Sequence, residues 1–275
     1  MGSLEWPLVL FTILSQISVG IILVLFWLDQ HELKESLFKR GILVSGTFLV
    51  AALLVSLFHL GHPEAAYRAI THLSSSWLSR EIVMFLLTFA GWLFLLWIVY
   101  HPGSNRRTPL LITSILGLLG TLSSAMIYVL PRVPAWNNAA PLVFFFITAV
   151  LMGPLVTAIL GYKEIAQAQR KSLLHWSIGC LLASIVLFVL YASFIQVNNE
   201  GAATVQAYLS SPFFWIRVVI GWLVPLLFLV SPLKTKKALS PNLLLMVVAF
   251  TGFGELIGRS LFYLAAAGIH ITALF

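Results

Sequence analysis

His59 and Glu81 are the residues of this chain whose types and placement best suit proton exchange with a hydroxyl compound. An imidazole titrates near neutral pH, and a carboxylate beside it can take a second proton from a hydroxyl held between the two. His59 closes one apolar stretch and Glu81 opens the next, so a single connection makes them neighbours. The same spacing also suits a histidine capping one helix end and a glutamate stabilising the next helix start. A second pair, Glu255 and Arg259, lies four residues apart within an apolar stretch and shares one helix face. Charges in a bilayer are costly and usually face the bundle interior with a partner. The pair therefore either satisfies itself or lines a polar cavity in the outer half with groups from other helices. Arg217 is the third candidate for that cavity, or else a side chain that snorkels to the interface. His59 and Glu81 are thus the candidate catalytic residues, and His59, Glu81, Arg217, Glu255 and Arg259 the candidate binding residues.

Other chemistries find little support. Cys180 is the one cysteine and lies mid-span, where it reads as a small buried hydrophobe. A disulfide within the chain or a cysteine-bound iron–sulfur cluster therefore has no ligands here. Haem requires paired axial histidines at matching depth on facing helices. His31, His101 and His175 fall at one set of span ends, and His59, His62, His72 and His270 at the other. None lies deep in a span, so haem and metal are not expected.

The elements that must position these residues are set by hydropathy. Of 275 residues, 60% are hydrophobic and 9% charged, against roughly a quarter charged in soluble domains. Eight apolar stretches are long enough to cross a bilayer: Pro7–Leu28, Gly41–Leu60, Ile82–Tyr100, Pro109–Leu130, Pro141–Gly161, Leu173–Ile195, Phe213–Ser231 and Leu243–Gly268. Backbone groups in lipid must pair within their own segment, so these are helices, and the first reads as a span rather than a cleaved signal. Short loops predict an all-α antiparallel bundle forming a single membrane domain over residues 1–275. Eleven lysines and arginines fall in alternate loops, among them Lys34, Arg106, Lys171 and Lys236, whereas Arg68, Arg80 and Arg132 are the three on the opposite side. That asymmetry places the eleven in the cytoplasm and both termini outside. The net charge of +7 is then a topology signal and calls for no nucleic acid. Two outward connections, Gly61–Arg80 and Gln196–Pro212, are long enough to dock a soluble partner.

Several motifs resemble the membrane-anchor subunit of bacterial dimethyl sulfoxide reductase, the DmsC family. They run in order along nearly the whole chain: Glu5–Trp6–Pro7–Leu8, His59–Leu60–Gly61 with Pro63, Glu81–Ile82, Pro134 with Trp136, Met152–Gly153–Pro154–Leu155, and Gly254–Glu255–Leu256–Ile257–Gly258–Arg259 with Phe262–Tyr263. The resemblance implies a multi-pass protein of the bacterial inner membrane. Such a subunit anchors a periplasm-facing molybdopterin subunit and an iron–sulfur subunit, binds menaquinol, and carries neither haem nor cluster. It implies that His59 and Glu81 serve quinol binding and oxidation, and it leaves Glu255 and Arg259 to physical inference. Arg80 beside Glu81, His62 and Glu64 depart from the family pattern and bear on the site's protonation or partner contact.

The expectation is an eight-helix subunit that oxidises menaquinol and hands electrons to the iron–sulfur partner. Its rivals are a haem-bearing anchor, a transporter or proton channel, and a structural anchor whose quinone site lies on a partner. A transporter needs polar groups across the midplane, whereas the middle of each span here reads as almost purely apolar.

Overall fold

The computed structural model describes residues 6–31, 33–58, 72–235 and 239–266. Eight helices among them are long and apolar enough to cross a membrane. They are α1 (Trp6–Asp29), α2 (Glu35–Leu57), α3 (Trp77–Val99), α4 (Arg107–Ile127), α5 (Ala140–Leu160), α6 (Gln167–Ile195), a composite seventh span, and α10 (Pro241–Leu264). The seventh span joins α8 (Pro212–Ile216), a π-helical stretch Arg217–Leu223, and α9 (Val224–Thr235). A twelve-residue helix, α7 (Asn199–Ser210), precedes it.

Local sequence sets where several of these begin. Ser76 caps α3 by accepting from the Ser79 amide, and Ser240 caps α10 from Leu243 ahead of Pro241. Asn198 caps α7 through the Gly201 amide at 2.8 Å. The long connection expected over Gln196–Pro212 is therefore mostly helix. Several spans start earlier than hydropathy indicates: α2 at Glu35 rather than Gly41, α3 at Trp77 rather than Ile82, α6 at Gln167 rather than Leu173. Hydropathy marks the hydrocarbon layer, while backbone hydrogen bonding continues into the interface. One consequence concerns Glu81, which lies in the second turn of α3 rather than at its opening.

α1 occupies the centre and packs mainly on α2, α5 and α4. Its crossing with α5 is very close. A Cβ at Gly20 would overlap the Ala149 carbonyl oxygen, and one at Gly153 would overlap the Gly20 carbonyl. Only glycine permits two backbones to meet so tightly. A second such crossing joins the π-helical stretch to α10, where a Cβ at Gly254 would overlap the Gly221 Cα. The indole of Trp92 ties α3 to α2 by donating to the Ile42 carbonyl at 2.8 Å.

The basic end is latched. Arg106 donates to Asp29 at 2.6 Å, to Glu35 at 2.5 Å and to the Leu33 carbonyl at 2.5 Å, so the start of α4 clasps the α1–α2 connection. Arg40 and Ser36 both engage Glu164. Large apolar side chains such as Leu86, Phe94, Val189 and Phe194 face outward, as suits a surface solvated by lipid.

Candidate functional site

Glu81 is 7% exposed, buried between α3 and α4, and its Oε1 accepts a short hydrogen bond from the Ser124 hydroxyl. Ser124 stands one turn before Tyr128, the residue that closes α4. The Tyr263 hydroxyl, near the end of α10, donates to that of Tyr128 at 3.0 Å. Both tyrosines lie close enough to Glu81 and Arg259 to sense their charges. Trp136 stacks on Phe262 with ring centroids 5.3 Å apart and donates to the Phe262 carbonyl at 3.1 Å. This aromatic group closes the end of the bundle around Tyr128.

Arg80 is the immediate neighbour of Glu81 in sequence but is engaged elsewhere. Its guanidinium donates to the carbonyls of Leu73 at 2.8 Å and Ser74 at 2.6 Å and lies 4.2 Å from the Trp77 ring centroid. It thus braces the start of α3. His59, together with His62 and Glu64, lies outside the described residues.

The second cluster is buried between α1, α5, α10 and the π-helical stretch. Glu255 is 6% exposed and Arg259 5%. Thr148 of α5 donates to Glu255 at 2.6 Å, and Arg217 approaches the other carboxylate oxygen at 3.7 Å. Arg259 donates to Gln16 of α1 at 2.8 Å and to the Thr148 oxygen at 3.2 Å, with its guanidinium 3.6 Å from the Phe145 ring centroid. Glu255 and Arg259 therefore bond to other helices, which favours the cavity reading over the self-satisfying pair. Arg217 is also internal, its side chain 11% exposed and stacked 4.6 Å from the Trp222 ring, rather than snorkelling. Gly258 makes room for it: a Cβ there would overlap the Arg217 guanidinium carbon. The π-helical turn, which widens the backbone locally, carries Arg217 at its first position.

Between Thr148, Tyr208, Arg217, Glu255 and Arg259 lies a cavity of about 20 Å³, room for one water. Burial pushes the Tyr208 phenol up to about 12, so a neutral hydroxyl faces this space. Two guanidiniums here meet one carboxylate, so the cavity is electropositive.

The cluster lies towards the end of the bundle where the Asn199–Ser210 helix sits: Arg217 is five residues from the start of α8, Arg259 five from the end of α10, and Tyr208 of α7 reaches the same cavity. Glu255 is nine residues from the end of α10 and Gln16 ten from the start of α1, about 14–15 Å along each axis. Each helix has 24 residues, about 36 Å, so both positions fall short of its midpoint. The expectation that the span centres are almost purely apolar is thereby corrected: Gln16, Thr148 and Glu255 stand within three residues of the midpoints of α1, α5 and α10, and Arg259 reaches them from nearer the end of α10. The signal was Gln16, a lone amide inside the apolar first span. Ser124, Thr148, Tyr128, Tyr208 and Tyr263 gave no such signal, because hydroxyl side chains recur throughout the spans and mostly bond their own helix. Among the described residues, no three His, Cys, Asp or Glu side chains converge on one point.

The family model described as DMSO reductase anchor subunit (DmsC) matches residues 1–264. The protein belongs to this family. Among DmsC-family relatives, an anaerobic dimethyl sulfoxide reductase chain of Haemophilus influenzae is 31% identical, over 98% of this sequence and 96% of its own. The anaerobic dimethyl sulfoxide reductase chain YnfH of Escherichia coli is 27% identical over 98% and 95%. A sulfite dehydrogenase subunit of Allochromatium vinosum is 34% identical over 103 residues, 34% of this sequence. This DmsC-family protein is thus a multi-pass membrane anchor of the dimethyl sulfoxide reductase type, and an anchor of that type implies catalytic and electron-transfer partners.

Proposed function

We propose that this anchor binds and oxidises menaquinol at the outward edge of the bacterial inner membrane, with both its termini periplasmic. The observation that carries the reading is Glu81. It is a carboxylate buried inside an apolar helix, and among the described residues its hydrogen-bond partner is a hydroxyl, not a cation. A buried carboxylate that none of the described cations pairs with is more readily explained by proton traffic than by stability.

In this reading menaquinol reaches the site laterally near α2 and α3. His59 holds one quinol hydroxyl and Glu81 takes the proton of the other. Both O–H bonds break, the ring becomes a quinone, and two protons leave by way of these two groups. The two electrons pass one at a time to an iron–sulfur cluster in a docked partner, and from there to a molybdopterin subunit that reduces the terminal acceptor. Arg259 or Arg217 supplies a positive potential from within the bundle that stabilises the charge developing on the ring as the quinol is deprotonated and oxidised. The anchor itself holds neither haem nor iron–sulfur cluster in this scheme.

The test is His59→Leu in the intact complex. Quinol-dependent turnover is lost, while the three subunits still co-purify and an artificial donor acting on the catalytic subunit still drives reduction. Normal quinol-dependent rates in that variant refute the assignment.

A further inference from the structure

One surface feature is unrelated to the buried polar groups. α5 and α6 pack as an antiparallel pair, and two shallow grooves follow one another along their lipid-facing seam. The first, about 300 Å³, lies between Val143 and Phe144 on α5 and Leu187 and Leu190 on α6. The second, about 330 Å³, lies between Phe146 and Val150 on α5 and Trp176, Gly179 and Ala183 on α6. Helical spacing puts the two on one continuous stripe. On α6 the groove floor runs from Trp176 to Phe194, about 27 Å along the axis, most of a hydrocarbon layer. Its walls are almost wholly apolar. A Cβ built on Gly179 meets nothing within 4 Å, so the floor is open there.

Past Trp176, the last α6 residue that lines the groove, the surface of α6 turns basic. Lys171, His175 and Gly179 stand four residues apart, so they form a single line on α6 that runs from the basic end into the groove. Lys171 and His175 are exposed, as is Lys163 in the preceding loop. The acidic residue nearby, Glu164, is occupied by Arg40 and Ser36, and Arg170 is tied to the Tyr162 carbonyl at 2.7 Å. Among the described residues no carboxylate pairs with Lys163 or Lys171, so positive charge stands at this end. At the opposite end the polar groups are spent internally: Tyr191 donates to the Ala135 carbonyl at 3.0 Å, and Asn138 donates to the Pro134 and Ala135 carbonyls.

We infer that the α5–α6 seam is a binding site for an anionic phospholipid, its phosphate at Lys171, His175 and Lys163 and one acyl tail along the groove past Trp176 and Gly179. Charge complementarity at one end and a hydrocarbon-length apolar trough behind it are what such a lipid requires. A bulk lipid without net charge would gain the trough but not the basic end. The site lies on the outer surface of the bundle and is independent of the quinol reading.

The experiment uses the delipidated complex in detergent and brominated phosphatidylglycerol, with brominated phosphatidylcholine of the same acyl composition as comparison. Tryptophan fluorescence falls as phosphatidylglycerol binds, and Trp176→Phe removes one increment of that loss. The increment saturates at lower phosphatidylglycerol than phosphatidylcholine. Lys171→Gln combined with His175→Gln brings the two lipids level, and Gly179→Leu, which fills the floor, abolishes the increment for both. Equal saturation by the two lipids in the native protein overturns the inference, as does an increment that survives Trp176→Phe. A co-purifying polyprenyl quinone that keeps both brominated lipids out of the groove overturns it too. Should the double variant fail to fold, a saturation that shifts with ionic strength for phosphatidylglycerol alone gives the same discrimination in the native protein.

Discussion

Glu81→Gln isolates proton acceptance from everything else that the side chain does. The amide oxygen of glutamine can still accept from Ser124, and the side chain keeps its volume between α3 and α4. Folding and partner docking are therefore preserved. What is lost is the ability to take a proton from the quinol. A positioned general base contributes about 10²–10⁴-fold to such a step, equivalent to about 2.7–5.5 kcal/mol of barrier. Burial places the effect towards the upper part of that range, because no bulk water stands ready to substitute. The assay is quinol-dependent reduction by the intact complex, normalised to the rate with a soluble donor that bypasses the membrane subunit. The expected result is a drop of at least about 100-fold in kcat, a much smaller change in KM, and an unchanged bypass rate. A variant within about threefold of the native rate would falsify the role of Glu81, since a proton acceptor worth less than about 1 kcal/mol is no general base.

Further outcomes follow from the geometry. Glu255→Gln keeps the Thr148 bond but leaves Arg217 without its carboxylate, and breaking a buried pair in this way costs about 3 kcal/mol, seen as a lower unfolding midpoint of the purified complex. Gly153→Ala drives a methyl into the Gly20 backbone, where nothing flexible can yield. It costs about 3 kcal/mol or more and appears as loss of assembled complex from the membrane. Arg106→Gln removes the clasp on Asp29, Glu35 and the Leu33 carbonyl. It lowers the unfolding midpoint by an amount equivalent to about 1–3 kcal/mol while quinol-dependent turnover stays unchanged.

The helices were legible because the bilayer imposes one demand, a run of apolar side chains, and eight such runs stand in the sequence. Their ends were less so. Lys39 and Arg40 stop a hydropathy reading yet continue α2, since a helix leaving the hydrocarbon loses no hydrogen bond. α7 was hidden because it answers to a cap, Asn198, and not to lipid. Within the site, Glu81, Arg217, Glu255 and Arg259 were conspicuous as charges where charge is expensive. Which partners they choose was not, for Glu255 binds Thr148 of α5 and Arg259 binds Gln16 of α1, contacts that depend on helix rotation. The inward turn of Arg217 depends on a π-helical widening and on the missing Cβ of Gly258, two features without a recognisable sequence signature.

The bond between Arg259 and Gln16 joins residues 243 positions apart. A ribosome adding about 5–20 residues per second finishes the last span roughly 10–50 s after the first. Through that interval the amide of Gln16 stands in the membrane without the guanidinium that will finally hold it. The innermost helix of the finished bundle is thus made well before the helix whose guanidinium meets the Gln16 carbonyl oxygen. Until α10 arrives, a nascent polypeptide displays an unmet hydrogen-bonding group near the bilayer centre, and a membrane protease or chaperone could read that group as the sign of an unfinished subunit.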